Sequence, residues 1–300
     1  MTSPQFEALK QIIAQRPQAE RGVQEIRDAT EEMAKLFPLA ADIKNEKVGA
    51  GGVPAEWVWA PNSDPSTVVL YLHGGGYIVG SMNTHRELAS RICRAAGARA
   101  LLIDYRLAPE NPFPAALEDS EAAYRWLLRQ GVKPKRIIIA GDSAGGGLTV
   151  ATLVALRDAG TAMPGAAVLM SAWTDMKNNG DSMTTKAEVD PIVQKKFIDE
   201  CSNYYMQGGD MRTPLASPIH ADLRGLPPLL IQVGECETLL DDSTRLAERA
   251  KASGADVTLQ VWPEMIHVWQ SFAPMLPEGQ QAIDSIGEWV REKLGAVVSS

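Results

Sequence analysis

A serine between glycines is the first residue of this chain that could do chemistry. Gly141-Asp142-Ser143-Ala144-Gly145 stands in "RIIIAGDSAGGG", directly after an apolar run of strand length and directly before a helical stretch. Strand, G-x-S-x-G and helix in that order predict a nucleophile elbow, a tight turn that projects the serine and tolerates only small neighbours. The helix behind the turn favours negative charge developing at its N-terminus. Upstream, His73-Gly74-Gly75-Gly76 follows the apolar run "TVVLYL". A carbonyl under attack becomes an oxyanion, and backbone N–H groups already aimed at it stabilise it without reorganising. Gly75 and Gly76 suit that task, with the Ala144 N–H completing the hole. A phosphate cradle would need G-x-x-x-x-G-K-[ST] or G-x-G-x-x-G, and this loop matches neither.

A serine hydroxyl is a weak nucleophile until a neighbouring base takes its proton. The chain has four histidines. His73 belongs to the glycine loop, where it is expected to hydrogen-bond within the turn. His85 follows near a helix start, and His220 sits in the proline-flanked "SPIHADLRGLPP". His267 comes after the last strand-like run, "VTLQVWP", and before the last helix. A fold built around such an elbow runs nucleophile, acid, base, with the base after the final strand. His267 alone meets that order. The acid must come from "LLIQVGECETLLDD", residues 229–242, which holds Glu235, Glu237, Asp241 and Asp242. Asp241 and Asp242 precede a helical stretch and read as residues that cap it and complement its dipole. Glu235 follows the strand by two residues and reads as pointing away or pairing locally.

These residues need a scaffold that brings distant segments together. Apolar runs of strand length recur as "EWVWAP", "TVVLYLHG", "ARALLIDYR", "RIIIAG", "AAVLMSAW", "PPLLIQVG" and "VTLQVWP", with helical stretches at 84–96, 115–130, 144–159, 242–253 and 279–294. The later runs are continuously apolar, as strands covered on both faces are. Strands alternating with helices predict an α/β fold with a mostly parallel central sheet flanked by helices. Residues 5–37 read as two amphipathic helices broken near Pro17. The stretch between "MSAWTD" and "PPLLIQVG" has no strand pattern and is too long for a bare loop, so it reads as an inserted helical lid. The expected organisation is N-terminal cap helices over 1–45, a catalytic domain over 46–177 and 213–300, and an inserted cap segment over 178–212. Tyr77 and the aromatic residues of 197–205 are candidate pocket walls.

Composition narrows the partners. A net charge of −8 argues against nucleic acid and against anionic membrane surfaces, which reward clustered Lys and Arg. The polar N-terminus predicts no signal peptide, and no window approaches the ~20 apolar residues of a membrane span. Cys93, Cys201 and Cys236 are odd in number and far apart, which predicts neither a disulfide framework nor a zinc site. Free thiols fit a cytoplasmic protein, and Cys236 beside Glu237 is a candidate reactive thiol. No metal or cofactor is expected.

The HGGG of 73–76, "DYRLAPENPFPAALED" of 104–119 and "GDSAGG" of 141–146 together resemble the bacterial hormone-sensitive-lipase-like carboxylesterases. The resemblance spans residues 40–295. It implies an α/β-hydrolase fold with a helical cap, cofactor-free hydrolysis of short- to medium-chain esters, and homodimers through the sheet edge. Ser143 then matches the nucleophile, His267 the base, and Gly75, Gly76 and Ala144 the oxyanion donors. The family usually shows Asp-Pro-Leu and then an acidic pair where this chain has Glu237-Thr238-Leu239 and Leu240-Asp241-Asp242. Aligning Leu239 with the family leucine puts Glu237 in the acid's place, with Asp241 as the alternative. A glutamate can orient an imidazole as an aspartate does. Asp104, Arg106 and Glu110 are expected to form one polar network behind the glycine loop. The expectation is a serine carboxylesterase. Two other classes share these motifs: binders of small carboxylic acids resembling plant gibberellin receptors, which can dispense with the base, and amidases using the same triad.

Overall fold

The alternating side-chain directions of a β-strand divide each apolar run between two cores, one on either face of a single sheet. The structure is a computed structural model that describes residues 2–14 and 22–295. Its strands are β1 (Lys44–Ala50), β2 (Val53–Trp59), β3 (Asp64–Leu72), β4 (Ala98–Ile103), β5 (Ile137–Asp142), β6 (Ala166–Met170), β7 (Leu229–Gly234) and β8 (Val257–Trp262). They form a sheet in the order β1-β2-β4-β3-β5-β6-β7-β8. β2 runs antiparallel to β1 and β4, and every pair from β4 to β8 is parallel. This is the expected mostly parallel α/β arrangement.

Helices cover both faces. α3 (Met82–Ala96) and α9 (Pro277–Lys293) lie on one side, and α4 (Ala115–Arg129), α5 (Ala144–Asp158) and α8 (Leu240–Ala252) on the other. Val68, Leu70 and Leu72 of β3 face the α5 side, while Val69 and Tyr71 between them face α3 and α9. Ile137 and Ile139 of β5 divide from Ile138 in the same way. Continuous apolar runs are thus strands buried twice over.

β1 has no counterpart among the seven runs read from the sequence. Its residues, "KNEKVGA", are mostly exposed and show no apolar alternation, because it is an edge strand. It exists by pairing with β2 across the Gly51-Gly52 turn, where both residues have positive φ. At the N-terminus, α1 (Pro4–Ala14) and α2 (Val23–Ala34) take the expected helical form, while Pro17 lies outside the described residues. The long segment before β7 carries α6 (Ser182–Thr185) and α7 (Lys195–Met206) and no strand.

The site follows from sheet order. The strand sequence reverses direction around β3, so β3 and β5 become neighbours and the segments after them diverge into a crevice, where open α/β sheets bind ligands. Leu72 pairs with Gly141, which sets the HGGG segment and Ser143 side by side at the same strand ends. The contact leaves no room for a side chain: a Cβ on Gly145 would lie 1.9 Å from the Leu72 carbonyl oxygen.

Candidate active site

Ser143 is the N-cap of α5, with φ 51° and ψ −120°. A non-glycine residue at positive φ costs of order 1–3 kcal/mol and persists only where its surroundings hold it. Here the Ser143 N–H donates to the Met170 carbonyl at 2.8 Å, and its own carbonyl accepts from Trp173 at 2.9 Å. The end of β6 therefore clamps the elbow from both sides.

The glycine loop packs against it. Gly75 and Gly76 have φ of 113° and 61°, which turns their amides away from the ordinary course of the chain. The Gly75 carbonyl accepts from Ile78 and Val79, whereas no acceptor among the described residues takes the Gly75 or Gly76 N–H. His73 keeps to the loop as expected, its Nδ1 2.8 Å from the Gly74 carbonyl oxygen. The Tyr105 hydroxyl donates to the His73 carbonyl at 2.6 Å, and the Tyr105 ring stacks on the His73 imidazole.

His267 and Glu237 meet after β8 and β7. His267 Nδ1 lies 2.7 Å from Glu237 Oε2, with the carboxylate fully buried. Glu237 Oε1 accepts from the Gly234 N–H at 2.5 Å and from the Ser171 hydroxyl at 2.9 Å. Burial alone would lower the His267 pKa, but the hydrogen bond and charge of Glu237 outweigh it and hold the imidazole above its ordinary value. α1 buttresses this corner: Phe6, Leu9 and Ile13 pack with Met265, Ile266, Trp269 and Phe272 around the histidine.

The other acidic residues of residues 229–242 turn elsewhere. Glu235 Oε2 accepts from the Glu264 N–H at 3.0 Å, the second of its two expected readings. Asp241 and Asp242 fall in the first turn of α8, but neither caps it, since Leu239 is the N-cap. Asp241 accepts from the Ser182 N–H at the start of α6, and Asp242 from the Thr174 and Asp175 N–H groups. Both carboxylates tie neighbouring loops to α8.

Ser143, His267, Gly75 and Gly76 line one cavity of about 250 Å³. Its walls are mostly apolar: Trp173 after β6, Val193, Phe197 and Ile198 near or on α7, Met33 from α2 and Phe272 after His267. Cys201 of α7 touches the glycine loop, for a Cβ on Gly76 would lie 2.7 Å from its Sγ.

Three expectations change. Tyr77 is not among the residues lining the cavity; its ring is buried, stacked at 3.8 Å on Tyr205 and flanked by Trp173 and Tyr105, and it supports the wall from behind. Asp104, Arg106 and Glu110 do not share one network. Asp104 accepts from the Met82 N–H, Arg106 pairs with Glu118 and Asp119, and Glu110 pairs with Arg27 of α2. Cys236 is a free, half-buried thiol whose pKa burial pushes up, which disfavours the reactive thiolate.

Sequence reasoning missed Ser171. This serine follows β6 with φ 49° and joins the two halves of the site: its hydroxyl donates to Glu237 and accepts the Val268 N–H at 3.0 Å. Its one signal is its place directly after an apolar strand end, as with Ser143, and no glycines frame it.

Among the described residues, no cluster of histidine, cysteine and acidic side chains could hold a metal ion, and no helix is long and apolar enough to cross a membrane. The α/β-hydrolase fold family matches residues 69–271. An acetyl-hydrolase of Streptomyces hygroscopicus is 45% identical over 296 residues, covering 98% of this chain and 99% of its own. An esterase of Acinetobacter venetianus is 34% identical, over 88% of this chain and 87% of its own. Among solved structures, an esterase from the bacterial hormone-sensitive lipase family superposes with a TM-score of 0.95 at 52% identity, covering 98% of this chain and all of that one. The fold and these relationships define an α/β-hydrolase. Within that fold, the chain belongs to the bacterial hormone-sensitive-lipase-like carboxylesterases.

Proposed function

We propose that this carboxylic ester hydrolase works through an acyl-enzyme on Ser143, with His267 as base and Glu237 as the acid that orients it. The observation that carries the reading is the 2.7 Å contact between His267 Nδ1 and buried Glu237, made by a histidine that shares its cavity with Ser143. With Nδ1–H donated to Glu237, Nε2 is the free base. It takes the Ser143 proton as the oxygen attacks the ester carbonyl, and returns that proton to the departing alcohol. Water then enters, gives its proton to His267, attacks the acyl carbon and releases the acid with Ser143 restored. The Gly75, Gly76 and Ala144 N–H groups hold the oxyanion in both halves. Two of them are unused as donors in the resting protein, and the third opens a helix whose first N–H groups have no partner within it.

The substrate class is short- to medium-chain esters. An apolar cavity of about 250 Å³ matches a short acyl chain and a small alcohol, and the Streptomyces relative is an acetyl-hydrolase. α2 and residues 178–212 act as the cap, since Met33, Ile198 and Cys201 from these segments line the cavity that holds Ser143. Hydrolysis of a short p-nitrophenyl ester by Ser143→Ala tests the reading. Loss of turnover in a protein with unchanged circular dichroism is expected, and undiminished turnover would refute the nucleophile.

A further inference from the structure

His267 is one of two imidazoles facing the cavity, and the mechanism above leaves the second idle. His85, in the first turn of α3, has a side chain only 14% exposed and sets its Nε2 3.4 Å from Asp142 Oδ2. Asp142 directly precedes Ser143 and is buried at the end of β5. Its carboxylate accepts from the Tyr71 hydroxyl at 2.7 Å and from the Gly74 N–H at 3.1 Å, and so anchors the start of the glycine loop. The anchor carries an electrostatic cost. A buried anion one residue from the nucleophile opposes the second negative charge that forms in the hole. Hydrogen bonds from Tyr71 and Gly74 solvate the carboxylate without neutralising it.

The geometry points to His85 as the resident cation that cancels Asp142, so that the developing oxyanion meets a neutral pair instead of a buried anion. The contacts on both ring nitrogens suit that state. His85 Nδ1 lies 2.7 Å from Thr84 Oγ1, and Thr84 Oγ1 lies 2.9 Å from the Ser81 carbonyl oxygen. As an imidazolium, His85 donates Nδ1–H to Thr84 and sets Nε2–H towards Asp142 at ion-pair distance, leaving the Thr84 hydroxyl proton for the Ser81 carbonyl. A neutral ring that still faced Asp142 with Nε2–H would have to draw the Thr84 proton away from Ser81.

The groups facing His85 agree. Burial would make the ring neutral, but Asp142 from β5 outweighs burial and Glu31 from α2 adds to it, so the pKa is raised. Burial likewise raises Asp142, and His85 reverses the direction. His73, its ring 5.4 Å away, is driven down to about 3 by burial and then by His85, and stays neutral. Tyr71 is pushed up by burial and stays protonated. Charge balance at Asp142 therefore falls to His85 among these groups. It acts through Asp142, as a positioning residue of the hole.

The inference rests on the reading of Ser143 and its oxyanion hole, and a double-mutant cycle tests it apart from that reading. His85→Gln keeps a donor towards Asp142 and removes the charge. It should lower kcat about tenfold or more, on the scale of a weakened oxyanion hole, with KM little changed. Adding Asp142→Asn removes the anion while retaining an acceptor for Gly74, so the double variant should recover most of that loss. A double variant no faster than His85→Gln would overturn the inference. A second measurement uses the unmutated fold: 15N NMR should find both His85 ring nitrogens protonated at pH 7, and a neutral ring there would also overturn it. Full turnover by Ser143→Ala would refute the nucleophile instead. Loss in Ser143→Ala without recovery in the double variant would refute this inference alone.

Discussion

The Ser171 hydroxyl stands between Glu237 and the loop of His267: it donates to Glu237 Oε1 at 2.9 Å and accepts from the Val268 N–H at 3.0 Å. The residue after His267 is thereby tied to the same carboxylate that His267 addresses. Orientation of the imidazole then depends on two routes, one direct and one through Ser171. A hydrogen bond to a charged group is worth about 1.5–3 kcal/mol. Ser171→Ala should lower kcat roughly tenfold to a hundredfold, with KM nearly unchanged, because the bond sets geometry and touches no substrate. Steady-state kinetics on a p-nitrophenyl ester check this, and a rise in KM alone would count against it.

Glu237→Gln should cost far more. The amide preserves shape but removes the charge that stabilises the imidazolium, and it can hold the ring in the wrong tautomer. Loss of the orienting carboxylate in serine triads reduces kcat by about 10⁴, and a loss of roughly 10³ or more is expected here. Asp241→Ala should keep most activity, because that carboxylate bonds the Ser182 N–H at the start of α6 and not His267. The reverse pattern would move the acid to Asp241.

The pH profile follows from His267. In the proposed mechanism the active imidazole is neutral, and Glu237 holds its pKa above 6.5 against the opposing effect of burial. Activity is therefore lost as pH falls through that raised value. kcat/KM should show an acid limb with its midpoint above 6.5, reporting the free enzyme. A midpoint below that value would mean that Glu237 does not dominate the titration of the base.

Much of this was legible in the sequence because it is carried by local pattern. Glycines at fixed offsets around Ser143 and after β3 mark backbone geometry that few other residues allow, and chain order singled out His267. The double burial of β3 and β5 shows directly as unbroken apolar runs. What stayed hidden depends on partners distant in the chain. β1 has no pattern of its own because its hydrogen bonds, not its side chains, hold it in the sheet. Tyr77 next to the glycines suggests a pocket wall, yet α7 brings Tyr205 onto it and buries it. Arg106 and Glu110 look like one cluster in sequence but face Asp119 and Arg27. Ser171 belongs to the site only because β6 ends beside β7, and no spacing rule expresses that.

Asp242 provides a prediction on stability. Burial pushes its carboxyl up to about 7, the Thr174 and Asp175 N–H bonds pull it back, and Asp175 adds repulsion. The folded-state pKa lies above the unfolded value of 3.8, so the folded protein holds a proton that the unfolded chain has released between those two values. The stability this gives is complete below about 3.8 and is lost as pH rises towards 7, with an upper limit of about 4 kcal/mol at ~1.36 kcal/mol per pH unit. Asp242→Asn retains an acceptor for both N–H groups and removes the charge. It should leave stability nearly unchanged at pH 4 and raise the denaturation midpoint at pH 8, so that the difference between variant and parent grows with pH. Urea titrations at the two pH values measure it. A variant equally destabilised at both would show that Asp242 is held there as an anion, with its two N–H bonds outweighing burial.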